Sequence, residues 1–233
     1  QMRQLTAAEE DKDTVVHEVI DEAVIRRLPV PSQGDIFFDF EGDPLWVEGG
    51  TRKDWGLEYL FGMVEIDSGT PEFTAFWAHD RAEEKKALQD FVAHVLARLE
   101  RWPDLHIYHY AAYEVTALKR LAARHAVHED DIDQFLRMGL FVDLYATVRG
   151  GVRVSQRSSS IKNLEPLYMD VREAELQKGD ASIVEYHRYQ AARDEGRLEE
   201  ADAILQGIAD YNTEDCVSTW KLRDWLVSQV GLD

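Results

Sequence analysis

The sequence predicts an α/β fold built on a five-stranded mixed sheet, three antiparallel strands followed by two parallel ones, flanked by helices. Three observations lead there. β-Rich runs between residues 35 and 78 surround one hairpin signal, which reads as a three-stranded meander. Two short apolar runs near residues 107 and 142 are joined through helical patterns, the connection that parallel strands need. From residue 200 onward, apolar residues recur at three- and four-residue steps, the period of one buried helix face.

Taken in order, residues 5–28 have the pattern of an acidic amphipathic helix, and Pro29-Val-Pro-Ser-Gln-Gly34 reads as a turn or linker. Residues 1–33 are therefore an expected N-terminal helical extension and linker, ahead of a main domain over 34–233. Asp35 to Glu41 is the first strand. Leu57 to Ile66 and Glu72 to Ala78 follow around Asp67-Ser-Gly-Thr-Pro71, a hairpin turn. Arg81 to Leu99 is a helix stopped near Pro103. Leu105 to Tyr110 is a buried strand, a helix runs from Glu114, and Leu140 to Leu144 is the fifth strand. The remainder is mainly helical, without internal repeats.

At 233 residues with 45% hydrophobic and 10% aromatic content, the chain can bury a full core. No stretch approaches the roughly 20 apolar residues of a membrane span, and no signal peptide is visible. Cys216 is the single cysteine, which excludes an internal disulfide and fits a reducing cytoplasm; we read it as a buried structural thiol pointing off the apolar stripe. The chain begins at Gln1 rather than Met, so a longer polypeptide with further domains is expected. There is no P-loop, zinc spacing or nucleophile elbow.

A net charge of −19 argues against a broadly basic nucleic-acid surface, because such binding draws on Lys and Arg. Contact with phosphates must then be local. Arg149, Arg153, Arg157 and Lys162 lie in an acid-free stretch with Gly150, Gly151 and Ser158 to Ser160, a mixture suited to phosphate contacts. Arg153, Arg157 and Lys162 are the candidate substrate-binding residues; an ordinary solvated loop is the alternative.

Five residues carry the chemistry. Asp39 and Glu41 are two apart on the first strand and so share a face, where partial burial is costly unless a cation or shared proton compensates. Ile204, Ile208, Tyr211, Asp215, Ser218, Leu222 and Trp225 form one helical stripe with Asp215 at its middle, and Tyr211 sits one turn before it. A structural Tyr–Asp hydrogen bond would also explain that pair. Glu114 shares the inward face of Leu118 and Leu121 at the C-terminal end of a strand, where open α/β sheets place ligands; a helix-dipole partner is the other reading. Asp143 reads as a cap for the turn after the fifth strand, with support of the acids as the alternative. His109 reads as a satisfied core histidine. Trp46 and Trp55 suit either base stacking or folding their loop onto the core.

These motifs resemble the DEDD 3′→5′ exonucleases of the RNase H-like superfamily. Phe38-Asp-Phe-Glu41 is similar to their first motif, His109-Tyr-Ala-Ala-Tyr-Glu114 to the second, and Tyr211-Asn-Thr-Glu-Asp215 to the Tyr-x-x-x-Asp third motif of the tyrosine subtype. The second motif carries Glu114 where Asp is usual and Tyr110 where Asn is frequent, which leaves direct and water-mediated metal contact both open for Glu114. Within the superfamily the chain most resembles the nuclease domain attached to RecB-like nucleases and helicases. The resemblance implies an RNase H-like fold with two Mg²⁺ or Mn²⁺ ions. Asp39, Glu41 and Asp215 would hold one ion, Asp39 and Glu114 would help hold the second, and Tyr211 would orient the attacking water. It implies cleavage of a single-stranded end, DNA favoured and RNA possible. A docking module with weak catalysis is the rival class.

Overall fold

Aromatic and β-branched residues are dense between residues 36 and 77, and there the chain forms three long strands: β2 (Ile36–Val47), β3 (Trp55–Asp67) and β4 (Thr70–Trp77). The computed structural model describes residues 15–48, 55–67, 69–156, 158–170 and 179–231. β3 and β4 are antiparallel with Asp67 opposite Thr70, and Gly69, at φ 85°, supplies the left-handed turn residue. β5 (Ile107–His109) joins β2 in parallel, and β6 (Phe141–Asp143) joins β5 in parallel. The strand order is β4-β3-β2-β5-β6, the expected meander followed by two parallel strands.

Helices cover both faces. α2 (Arg81–Arg101), α3 (Tyr113–His125) and α4 (Glu129–Met138) enclose one core with Phe38, Phe40, Phe61 and Phe91. α5 (Leu144–Gly151) and the long α8 (Leu198–Ser228) enclose the other with Phe37, Val64, Tyr108 and Leu222. α6 (Ile161–Leu164) lies beside this second core, and α7 (Gly179–Asp194) stacks Tyr186 on Tyr59 of β3 at 3.8 Å. Among the described residues, no helix is long and apolar enough to cross a membrane.

Three expectations need correction. The N-terminal helix over 5–28 is replaced, within the described part, by β1 (His17–Val19) and the single-turn helix α1 (Glu22–Ile25); residues 5–14 lie outside the described residues. β1 pairs antiparallel with β7 (Val152–Val154), itself a strand in a region expected to be mainly helical. Valines at 15, 16 and 19 favour extended backbone, and a ladder to a segment 135 positions away is invisible to local periodicity. β2 runs on past Glu41 to Val47 although Gly42 and Pro44 usually interrupt strands. The ladder shifts register at Glu41/Gly42, and beyond it β2 pairs only with β3, so the missing Pro44 N–H leaves no bond unmade on its other side.

The first core is pinned by one buried charge. Glu84 on α2 is fully buried and accepts hydrogen bonds from the Glu58 amide at 2.9 Å, Arg81 Nη1 at 2.9 Å, His125 Nε2 at 2.8 Å and Arg124 Nη1 at 3.2 Å. It thereby ties α2, α3 and β3 together. Glu84→Ala takes an acceptor away from two guanidiniums, the His125 imidazole and the Glu58 amide, and we expect it to lower unfolding free energy by roughly 3–5 kcal/mol. Urea denaturation checks this; a change below about 1 kcal/mol, the scale of an exposed pair, contradicts it.

Candidate active site

Strand alternation sorts β2 into two faces. Phe38 and Phe40 turn toward α2, where Phe38 stacks on Phe91 at 4.6 Å, whereas Phe37, Asp39 and Glu41 turn toward α8. α8 meets them with Tyr211, Asn212 and Asp215. Carboxylate oxygens of Asp39, Glu41 and Asp215 lie within 4.8 Å of one another. Asn212 Nδ2 donates to Asp39 Oδ2 at 3.0 Å, and Ser182 Oγ on α7 donates to Glu41 Oε2 at 2.7 Å. The approach of α8 requires a glycine in the middle of β3. A Cβ at Gly62 would fall 1.6 Å from Asn212 Oδ1.

Glu114 enters from the corner between β5 and α3. Ala111 holds that corner at φ 72°, a left-handed backbone that costs a residue with a Cβ of order 1 kcal/mol or more. Two neighbours fix it: the Ala111 amide donates to Asp143 Oδ1 at 2.9 Å, and the Ala111 carbonyl accepts from His109 Nδ1 at 2.6 Å. Glu114 is buried on the first turn of α3, with Leu118 and Leu121 behind it. Its Oε2 lies 3.3 Å from His109 Nδ1, but that nitrogen's proton is committed to Ala111, so Glu114 Oε2 is buried without a hydrogen-bond partner. Burial of an acceptor in that state invites a cation.

A family model described as the RNase_H superfamily matches residues 36–227. The chain belongs to the RNase H superfamily. No curated protein and no solved structure matches it significantly. Domains of the RNase H superfamily are nuclease-type modules that bind nucleic acid and use divalent metals, and the acidic cluster here fits such an ion. The donor set is all oxygen, with no thiolate and no imidazole among the clustered ligand atoms, as a hard cation prefers.

The electrostatics of this RNase H superfamily site follow from burial. Asp39 is raised well above the ordinary carboxylate range, first by desolvation and then by the charges of Asp215, Glu41 and Glu114. Glu41 is pushed up to about 8, again mainly by desolvation, against hydrogen bonds from Ser182 and Asn212 and the positive charge of Lys162. Burial and the same acids push the Cys216 thiol upward. That thiol is fully buried, 3.6 Å from the Gly62 carbonyl, and free.

The structure brings Asp39, Glu41, Glu114, Tyr211 and Asp215 to one place, together with Lys162. Lys162 Nζ donates to the Tyr211 hydroxyl and lies 4.5 Å above that ring. Arg153 instead pairs with Glu18 at 3.0 Å on the exposed β1–β7 ladder, Arg149 sits over the Tyr145 ring at 5.7 Å, and Arg157 lies outside the described residues. Asp143 caps α5 through the Tyr145 amide, as expected, and also accepts from the Ala111 amide at the corner that leads to Glu114. Trp46 packs under the Arg81 guanidinium at 4.8 Å, while Trp55 is 45% exposed.

Sequence reasoning missed Asn212 and Ser182. The buried stripe of α8 is wider than expected: Asn212, Cys216 and Thr219 are buried beside Tyr211 and Ser218, so Cys216 points into the core rather than off it. A wider helical arc includes Asn212. Nothing local marks Ser182, which meets Glu41 across 141 positions.

Glu41 holds a proton in the folded state that the unfolded chain releases near 4.5, so its contribution to stability is lost as pH rises from about 4.5 through about 8. Asp39 is raised by the same burial and the same acids, and its contribution is likewise lost as pH rises. In chelator, we expect the melting temperature to drop between pH 5 and 8 by more in the wild type than in Asp39→Asn. Equal slopes would mean that Asp39 does not contribute.

Proposed function

We propose that the domain is a divalent-metal-dependent 3′→5′ exonuclease of the tyrosine-type DEDD group, hydrolysing phosphodiester bonds at single-stranded ends, DNA before RNA. The observation that carries this reading is the convergence of Asp39, Glu41, Asp215 and Glu114 from β2, α8 and α3, with Tyr211 one turn before Asp215 on α8. Membership of the RNase H superfamily supports the nuclease class. The resemblance to nuclease domains attached to RecB-like nucleases and helicases supports a place beside such domains in a longer polypeptide. A single buried thiol is consistent with a reducing cytoplasm. Residues 34–233 make up the exonuclease domain, and the segment before them braces it through β1 and α1.

Asp39, Glu41 and Asp215 would hold one Mg²⁺ or Mn²⁺, and Asp39 with Glu114 would help hold a second. Such ions, when bound, neutralise charge on the attacking and leaving oxygens of an in-line displacement. The protein's own groups do the rest. Asn212 fixes the Asp39 rotamer and Ser182 that of Glu41, so the carboxylates are oriented before an ion arrives. Tyr211 orients the attacking water through its hydroxyl. Arg153, Arg157 and Lys162 supply phosphate contacts, and the Lys162 charge is felt at Glu41.

The test uses 5′-labelled single-stranded DNA and RNA with Mn²⁺ or EDTA. Stepwise shortening from the 3′ end should require the metal, and Asp39→Asn or Asp215→Asn should slow it roughly 1,000-fold or more, several kcal/mol of lost ligand charge. Near wild-type cleavage by either variant overturns the assignment. Mn²⁺ should also stabilise the wild type, by about 2.7 kcal/mol at a hundredfold excess over Kd, and Asp39→Asn much less. A melting temperature identical in EDTA and in millimolar Mn²⁺ would speak for a docking module instead.

A further inference from the structure

Lys162 is held far more firmly than a surface lysine that waits for a phosphate. Its short helix α6 is preceded by Ser160, whose amide donates to Ser158 Oγ at 3.2 Å, and Asn163 Nδ2 donates to the Ser158 carbonyl at 3.2 Å. Tyr110, from the β5–α3 corner, donates to the Ser159 carbonyl. Tyr168 donates to the Ile161 carbonyl at 3.4 Å and meets Ser218 Oγ of α8 at 3.1 Å. The segment carrying Lys162 is thus tied to the corner that bears Glu114 and to the helix that bears Asp215.

From there the ammonium reaches one group, the Tyr211 phenol, in two ways. It donates to the oxygen and lies over the ring at 4.5 Å. An ammonium has donors and no acceptor, so the Tyr211 oxygen accepts and its own hydrogen must point elsewhere. Repulsion between the ammonium hydrogens and the phenol hydrogen turns the O–H away from Lys162. We propose that Lys162 is a positioning residue that sets the direction of the Tyr211 O–H, and that this, more than phosphate binding, is its contribution to turnover. The proposal rests on the exonuclease reading above and deepens it.

A double-mutant cycle with Mn²⁺ tests it: wild type, Lys162→Met, Tyr211→Phe and the double variant, with kcat and KM on labelled single strands. Lys162→Met should lower kcat roughly 10- to 100-fold in the wild type. In Tyr211→Phe the same change should cost less than about twofold, because the group it orients is gone. KM should stay near its wild-type value, Lys162→Arg should recover part of the rate, and the Mn²⁺-induced rise in melting temperature should persist in all four proteins. If Lys162→Met does not melt cooperatively, Lys162→Gln carries the same comparison. Losses that multiply across the cycle, or a KM that rises in both backgrounds, overturn the role of Lys162 alone. A wild type that responds to Mn²⁺ yet shortens neither DNA nor RNA overturns the exonuclease reading, and this inference with it.

Discussion

Like charge under burial is the constraint around which this fold is arranged. Asp39, Glu41, Glu114 and Asp215 come from three elements and repel one another in a region where desolvation already penalises the ionised forms. Cohesion must come from elsewhere, and the two aromatic-rich cores on either side of β2 supply it. Phe38, Phe40 and Phe91 fasten one face of the strand while Phe37 and Tyr108 stack beneath the other. Neutral donors then meet the acids: the Asn212 amide at Asp39 and the Ser182 hydroxyl at Glu41. Neither cancels the charge, so affinity for a cation is preserved.

The corner at Ala111 shows how geometry is bought locally. A left-handed residue turns the chain sharply from β5 into α3 and delivers Glu114 opposite β2. His109 and Asp143 clamp that residue by carbonyl and amide. A second corner, at Ser158 to Asn163, is clamped in the same manner by Tyr110 and Tyr168. Tyr110, the departure from the usual second motif, therefore connects the two corners.

Much of this was legible because it is periodic. Alternation put Asp39 and Glu41 on one face of β2, and four-residue steps put Tyr211 and Asp215 on one face of α8. Strand order followed from a hairpin signal and two short apolar runs. What stayed hidden depends on partners far along the chain. The β1–β7 ladder joins residues 17–19 to 152–154, and a helical pattern in isolation looked stronger than a pairing no window can contain. Ser182 has no signature beyond being a serine. Asn212 was adjacent to a recognised residue, yet a stripe drawn one residue too narrow left it outside. Arg153 illustrates the converse: basic composition located a candidate, but its pairing with Glu18 on a strand missed in the sequence was not visible there.

Gly62 carries no chemistry, but the site depends on it. Because a methyl there would collide with the Asn212 side chain, the first atom added at that position displaces the amide that donates to Asp39. Asp39 would then lose the donor that orients it although no reactive group had been touched. The position behaves as a gauge block, a spacer whose thickness sets the distance between two surfaces. An inventory of reactive groups would pass over it.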